Sequence, residues 1–418
     1  MNNDLLYINK KENFLVYLFA FAAWWQFMLG LHLFEGGLTP IWRTLQGEKL
    51  LYFLIFITAH VYNNKKKIYN QAAVNKQIVS IFTICYLPYI FQAFLSFSFG
   101  SILPFFLIII YLQLRDDLKI RVFDSFIKVM AFSLFLSLVE YLFCVVTGHY
   151  ITIFSSIPTD TGFKTFDQTL FNFVPLESVV NLGSFSFFKF QSFSDEPGNV
   201  GTICAFLLFA TNDSKRYKYP YIVFWISGIL SFSAAFYILA AIHLAFSLKK
   251  KNVKILIICS VMVYVLYHYF QEAFDLFIFN RFSKDNIESL DNRSTVEFDA
   301  NLMAAFKDGS LWFGKGFRTK IDTGGHGGAA GAKVYLWIYG IIGTAIILIG
   351  YLSIYLKLLK RQPKFIRKNA LIFLMVFFLS FYQREYINYF DYVVIFFTMP
   401  ILLTYKEIVD SSHCLFKR

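Results

Sequence analysis

The chain has 418 residues, of which 57% are hydrophobic, 20% aromatic and 16% charged, and its mean hydropathy is +0.54. That balance excludes an ordinary soluble domain of this length and points to a polytopic helical membrane protein. The formal charge of +12 does not point to nucleic acid, because the basic residues are scattered through short links between apolar runs.

Apolar run length and charged flanks predict spans at about 14–34, 45–62, 78–98, 100–114, 123–147, 197–211, 219–233, 234–248, 253–271, 333–356, 370–386 and 388–404. The first span carries no small-residue cleavage site and is expected to remain in the protein. The basic clusters are Lys65–Lys67 with Lys76, then Arg115, Lys119 and Arg121, then Lys215, Arg216 and Lys218, then Lys249–Lys251 with Lys254, and finally Lys357 through Lys368. They occupy alternate links, which the positive-inside rule places in the cytoplasm. The segment 219–248 is long enough for one helix. The links on both sides of it are basic, however, so parity demands a tight hairpin near Ser231–Ala234. The expected architecture is thus an all-α polytopic membrane protein, residues 1–418 forming one integral membrane domain with about twelve transmembrane helices and both termini cytoplasmic. No repeat of 20–50 residues and no low-complexity tract interrupts it.

Two polar stretches remain, 148–199 and 271–332. Both are near neutral or slightly acidic, and both fall on the outer side. Loops this long in a polytopic protein are more often functional than mere connections. The first ends in Ser194-Asp195-Glu196-Pro197-Gly198 before an apolar run. Asp195 is expected to cap the helix, Glu196 to lie at its positive end and Pro197 to fit the first turn. Capping alone accounts for these residues; a further role for Glu196 is to position a cationic or hydroxyl-rich group at the membrane surface.

In the second stretch, Ser294-Thr295-Val296-Glu297 has the spacing of a capping box. Phe298, Leu302 and Phe306 follow at helical spacing and Asp308-Gly309 ends the run. Arg293 then stands immediately before a helix N-terminus, where a guanidinium beside free N–H groups suits a phosphate; an ion pair with Asp291 or Glu297 is the plain alternative. Next come Gly314-Lys315-Gly316, Arg318 and Lys320, where glycines permit tight backbone approach, and then His326 among four glycines. No Walker loop is formed, because the Gly-Lys-Ser/Thr ending is missing.

Four of the five cysteines, Cys85, Cys144, Cys204 and Cys259, lie in apolar runs and read as small core residues. No Asp-x-Asp pair, His-Glu-x-x-His motif or nucleophile elbow occurs, so neither metal nor cofactor dependence is expected. Glu140, Lys128 and His243 are the main charged or titratable residues within apolar runs, fewer than an ion-coupled transporter would carry.

Three stretches taken together carry a resemblance. They are Lys189 through Gly198, with a basic residue, Phe190 and Glu196-Pro197 before a span; Arg293 through Gly316, with Phe298, Ala305-Phe306 and Gly314-Lys315-Gly316; and His326 followed by Tyr335 and Gly340-Ile341-Ile342-Gly343. In this order and topology the chain resembles the bacterial O-antigen polymerase and ligase group, Wzy/WaaL-type glycosyltransferases of the GT-C class. Most like it is a polymerase of polysaccharide repeat units, although the family often has arginine where this chain has Lys189.

The resemblance implies transfer of a growing glycan from one undecaprenyl-diphosphate carrier to a hydroxyl of a second lipid-linked oligosaccharide. The reaction would run on the outer face of the bacterial inner (cytoplasmic) membrane, without metal or cofactor. It assigns Arg293 to the diphosphate, with Arg318, Lys189, Lys315 and Arg384 beside it. His326 would be the base for the acceptor hydroxyl, and Glu196 a second base or sugar-positioning group. The lipid bilayer and a chain-length regulator protein are the further expected partners. The alternatives are a ligase that moves finished glycan to another acceptor and a flippase or exporter of lipid-linked oligosaccharide.

Overall fold

The computed structural model describes residues 12–27, 47–66, 68–69, 73–95, 102–158, 165–175, 180–182, 185–194, 196–212, 215–247, 268, 294–316, 331–360, 364–383, 387 and 389–415. In chain order the elements are α1 (Asn13–Phe27), α2 (Gly47–Lys66), α3 (Ala73–Cys85), α4 (Leu87–Leu95), α5 (Leu103–Gln113) and α6 (Asp116–Thr147). Five short strands follow: β1 (Phe154–Pro158), β2 (Thr165–Gln168), β3 (Phe173–Pro175), β4 (Val180–Leu182) and β5 (Phe185–Phe187). Then come α7 (Pro197–Thr211), α8 (Lys218–Leu230), α9 (Ala234–Ser247), α10 (Val296–Lys307), α11 (Ala332–Lys360), α12 (Lys364–Gln383) and α13 (Phe390–Leu415).

The protein is mostly helical. Among the described residues, three helical stretches are long and apolar enough to cross a membrane, namely Asn75–Leu95, α6 and α11. Shorter apolar helices accompany them, including α1, α5 and α7. The break foreseen near Ser231–Ala234 is present: α8 ends at Leu230 and α9 begins at Ala234, with Phe232 at φ +47° between them. The predicted span 253–271, residue 268 apart, lies outside the described residues.

The chain divides into two compact units. The first comprises residues 1–27, 32–130 and 295–418. In it α11 packs on α3, α4, α12 and α13, while α13 also packs on α1 and α5. The core is aromatic. Phe82 stacks on Phe105 with ring centroids 5.7 Å apart, Tyr351 meets Phe397 at 5.4 Å and Phe377 meets Phe396 at 4.1 Å. Offset and tilted rings at these separations add packing energy beyond the area they bury. Small residues let backbones close up: a Cβ on Gly350 of α11 would lie 1.5 Å from Cys85 Sγ of α3.

At the base of α6, the buried Glu12 accepts from Arg115 at 3.4 Å and from Arg121 at 3.2 Å, and Arg121 also donates to Asn13. α6 therefore begins at Asp116, seven residues before the predicted span. The charges at 115–121 are paired along and beside the helix rather than released into a solvated link.

The second unit comprises residues 28–31 and 131–294. Its centre is α7, in which every residue except Pro197, Gly198 and Phe209 is buried. α8 and α9 pack against it. They also face each other, Trp225 meeting Phe236 at 5.8 Å and Tyr221 meeting His243 at 6.2 Å.

The strands correct the all-α expectation for the 148–199 stretch. β1, β2 and β3 form an antiparallel sheet in that order, with Phe166 opposite Pro175 and Gln168 opposite Phe173. β4 and β5 form a hairpin with Val180 opposite Phe187. Runs of three to five residues are too short for an alternating pattern to stand out among so many phenylalanines.

Candidate functional site

In the first unit the site begins with α10. Its N-cap is Thr295, whose side chain accepts from Phe298 N at 3.1 Å. The cap therefore falls one residue later than the capping-box spacing indicates, which moves Glu297 from the third helical position to the second. The predicted end holds: Asp308 is the C-cap and Gly309 follows at φ +76°. Ser310 donates to Asp308 Oδ1 through its N–H at 2.8 Å and through its hydroxyl. These bonds, with a smaller contribution from Lys315, hold the Asp308 carboxyl below its ordinary value.

α10 is seated on the first turns of α11. Phe298 packs against Trp337 at 5.4 Å, and Lys333 pairs with Asp299 at 3.0 Å. A turn of 3-10 helix at Ser310–Trp312, with Leu311 buried, leads into Gly314-Lys315-Gly316. Both glycines have positive φ, +81° and +83°. The segment docks on α11 where that helix is interrupted: Gly340 adopts φ 73°, ψ 178°. Lys315 N donates to Trp337 O at 2.7 Å and Gly316 N to Ile338 O at 3.2 Å. On the other side Gln92 of α4 donates to Phe313 O at 3.5 Å.

The glycines thus do allow close backbone approach, but the surface approached is the broken helix. Lys315 is half-buried on a backbone fixed from both sides. Just before the break, Tyr335 contacts Tyr339 at 5.1 Å and Phe381 at 4.9 Å, and Tyr339 meets Tyr89 at 6.1 Å. Tyr351 Oη donates to Ile387 O at 2.8 Å and lies 2.8 Å from Tyr86 Oη, which ties the turn before α13 to the core.

In the second unit Lys189 lies between two buried phenylalanines. Phe188 and Phe190 meet the Tyr141 ring edge-on at 4.8 and 5.5 Å. Tyr141 Oη donates to Phe188 O at 2.9 Å, and Phe190 N to Leu230 O at 3.0 Å. Ser192, at φ +51°, shares a hydroxyl hydrogen bond of 2.7 Å with Ser137. Lys189 is therefore a half-buried cation on a pinned backbone. Glu196 is itself the N-cap of α7, in extended conformation and without a side-chain cap bond. Pro197 occupies the first turn as expected. The predicted capping residue, Asp195, lies outside the described residues.

Lys315 belongs to the first unit, and Lys189 and Glu196 to the second. Arg293, Arg318, His326 and Arg384 lie outside the described residues.

The three charged or titratable residues noted within apolar runs have local partners. Glu140 of α6 accepts from Thr169 Oγ1 at 2.8 Å, Leu170 N at 3.0 Å, Phe171 N at 2.8 Å and Asn172 Nδ2 at 2.9 Å, latching the turn before β3. Lys128 pairs with Asp124 at 2.8 Å. His243 is buried against Phe209 and lies 3.3 Å from Tyr221 Oη. The interruption of α11 at Gly340 is the feature of the site that sequence reasoning missed. Its one signal was a glycine inside an otherwise strong apolar run, paired with glycines flanking Lys315.

Comparison of the chain with protein-family models, with curated proteins and with solved structures gave no match.

Proposed function

We propose that this protein is a glycosyltransferase that polymerises oligosaccharide repeat units carried on undecaprenyl diphosphate, working on the outer face of a bacterial inner membrane. The reading includes about twelve crossings with both termini cytoplasmic, and 148–199 and 271–332 as the outer loops. The observation that carries it is the Gly314-Lys315-Gly316 segment, locked by two backbone hydrogen bonds onto the break in α11. A cation on a backbone that does not move is suited to charge that builds during reaction, because it needs no reorganisation when the charge appears.

In the proposed reaction the acceptor hydroxyl oxygen forms a bond to the anomeric carbon of the donor glycan. The bond from that carbon to the diphosphate breaks, and its electron pair leaves with the phosphate oxygen. Arg293, Arg318, Lys315, Lys189 and Arg384 meet the growing negative charge. His326 takes the hydroxyl proton, with Glu196 as the second candidate base. A positioned base contributes roughly 10²–10⁴-fold, and fixed donors at the leaving group a few kcal/mol. The chain-length regulator protein remains the expected partner.

The test is the purified protein in vesicles with undecaprenyl-diphosphate-linked repeat units as sole substrate. A ladder of longer glycans without nucleotide supports the reading; no lengthening rejects it. In cells, Arg293→Ala is expected to stay in the membrane and leave only single units on the acceptor. Normal long polymers from that variant would remove Arg293 from the mechanism.

A further inference from the structure

α11 supplies a ruler. Lys357 and Lys360 lie in its last turn. The helix is broken at Gly340, and its unbroken part from Ile341 to Lys360, about twenty residues at ~1.5 Å each, spans ~30 Å, the thickness of a hydrocarbon core. Lysines that end an apolar helix keep their ammonium groups at the water boundary. The break, with Trp337 just before it, then marks the opposite boundary.

Trp337 is also where the preceding segment is seated. Phe298 packs on its ring and Lys315 N donates to its carbonyl. Residues 296–313 are therefore held at headgroup depth, and apart from Glu297, Lys307 and Asp308 their exposed side chains are apolar. Val296 is 87% exposed, Met303 62% and Phe313 72%, with Phe306 and Trp312 also exposed. On α10, Val296, Ala300, Met303 and Ala304 fall on one side, opposite the inward-facing Phe298 and Ala305. Lys307 ends that outward row, while Glu297 and Asp299 flank it.

A large exposed apolar patch marks a surface that is covered in use. Its depth along α11, its Trp and Phe side chains and its terminal lysine match a helix lying in the plane of a membrane interface. We infer that α10 and the turn through Phe313 form a lipid-binding surface, inserted into the headgroup zone of the leaflet where α11 begins. Phospholipid acyl chains cover Val296, Met303, Phe306, Trp312 and Phe313, and the Lys307 ammonium reaches the headgroup phosphates. The inference holds for this segment whatever the substrate.

The test uses the full chain, with its five native cysteines replaced by serine or alanine, in vesicles of phosphatidylethanolamine and phosphatidylglycerol. Met303→Cys, Phe306→Cys and Phe313→Cys carry a spin label, and Glu297→Cys is the flank control. Oxygen is expected to relax the first three labels more than a water-soluble nickel chelate does, with the order reversed at 297. Chelate-dominated relaxation at all four positions would overturn the inference. So would exclusion of both reagents from the first three, which would mean that protein covers the face. A second measurement leaves the cysteines in place: in vesicles of brominated phospholipid, Trp312→Phe should lower the quenched share of tryptophan emission. An unchanged quenched share overturns the inference as well.

Discussion

Gly314 and Gly340 meet backbone to backbone: a Cβ on Gly314 would lie 2.5 Å from Gly340 N, and one on Gly340 would lie 2.4 Å from Gly314 N. Neither position has room for any side chain, and each has a positive φ besides. Gly340, at φ 73° and ψ 178°, sits in a region that essentially only glycine occupies, where another residue costs about 1–3 kcal/mol before any clash. Gly314→Ala and Gly340→Ala are each expected to undock the segment and to lower the yield of monodisperse protein in detergent. Gly309→Ala is the control. It shares the positive φ but a Cβ there would meet only Trp312 Cδ1, at 4.0 Å, so about 1–2 kcal/mol is the whole expected cost.

Thr295, rather than Ser294, caps α10, so their alanine variants should differ. Thr295→Ala loses the bond to Phe298 N and should cost about 1 kcal/mol. Amide exchange in residues 297–300 should then speed up by roughly fivefold. Ser294→Ala should leave that exchange nearly unchanged. The opposite order would return the cap to the position that the capping-box spacing indicates.

Glu140 is expected to act on the loop that it holds. Glu140→Ala removes the acceptor for Thr169, Leu170, Phe171 and Asn172, at a cost of about 1–3 kcal/mol for the donors left unmet. Chymotrypsin should cut faster at Phe171 in this variant, and limited proteolysis reads that directly. An unchanged cleavage rate would show that the turn is held by other bonds.

The contact of Gly350 with Cys85 predicts a pair effect. Gly350→Ala drives a methyl into the Cys85 sulfur and should cost about 1–3 kcal/mol through overpacking. Cys85→Gly should recover most of that loss in the double variant, because the two changes exchange which helix carries the side chain. Melting temperatures of the four proteins in one detergent give the coupling.

Much of the helical order was legible because bilayer-length apolar runs are a strong signal and Pro197 and Gly309 punctuate the chain. Charge parity also located the break at Ser231–Ala234, where apolar content alone read straight through. The start of α6 was not legible. Arg115, Lys119 and Arg121 look like a solvated link until Glu12, a hundred residues earlier, is seen between two of them. The break in α11 is hidden for the same reason, since the carbonyls it leaves are met by Lys315 N and Gly316 N, from a segment outside the helix. Local pattern cannot reveal a partner supplied by tertiary structure. At the candidate site, residue types pointed to Lys315 as one cation in a cluster; that its backbone is held at a helix break came from the fold alone.

α7 has fifteen residues, which at ~1.5 Å each gives ~22 Å, less than a bilayer core. Sheathed by protein on nearly every side, it does not have to match lipid thickness at all. Its length is set by its neighbours, so it should be indifferent to thicker or thinner membranes that would tilt or stretch an outer helix. In the second unit such a pillar lets the ends of α7, Glu196 among them, keep their place relative to α8 and α9 in bilayers of different depth.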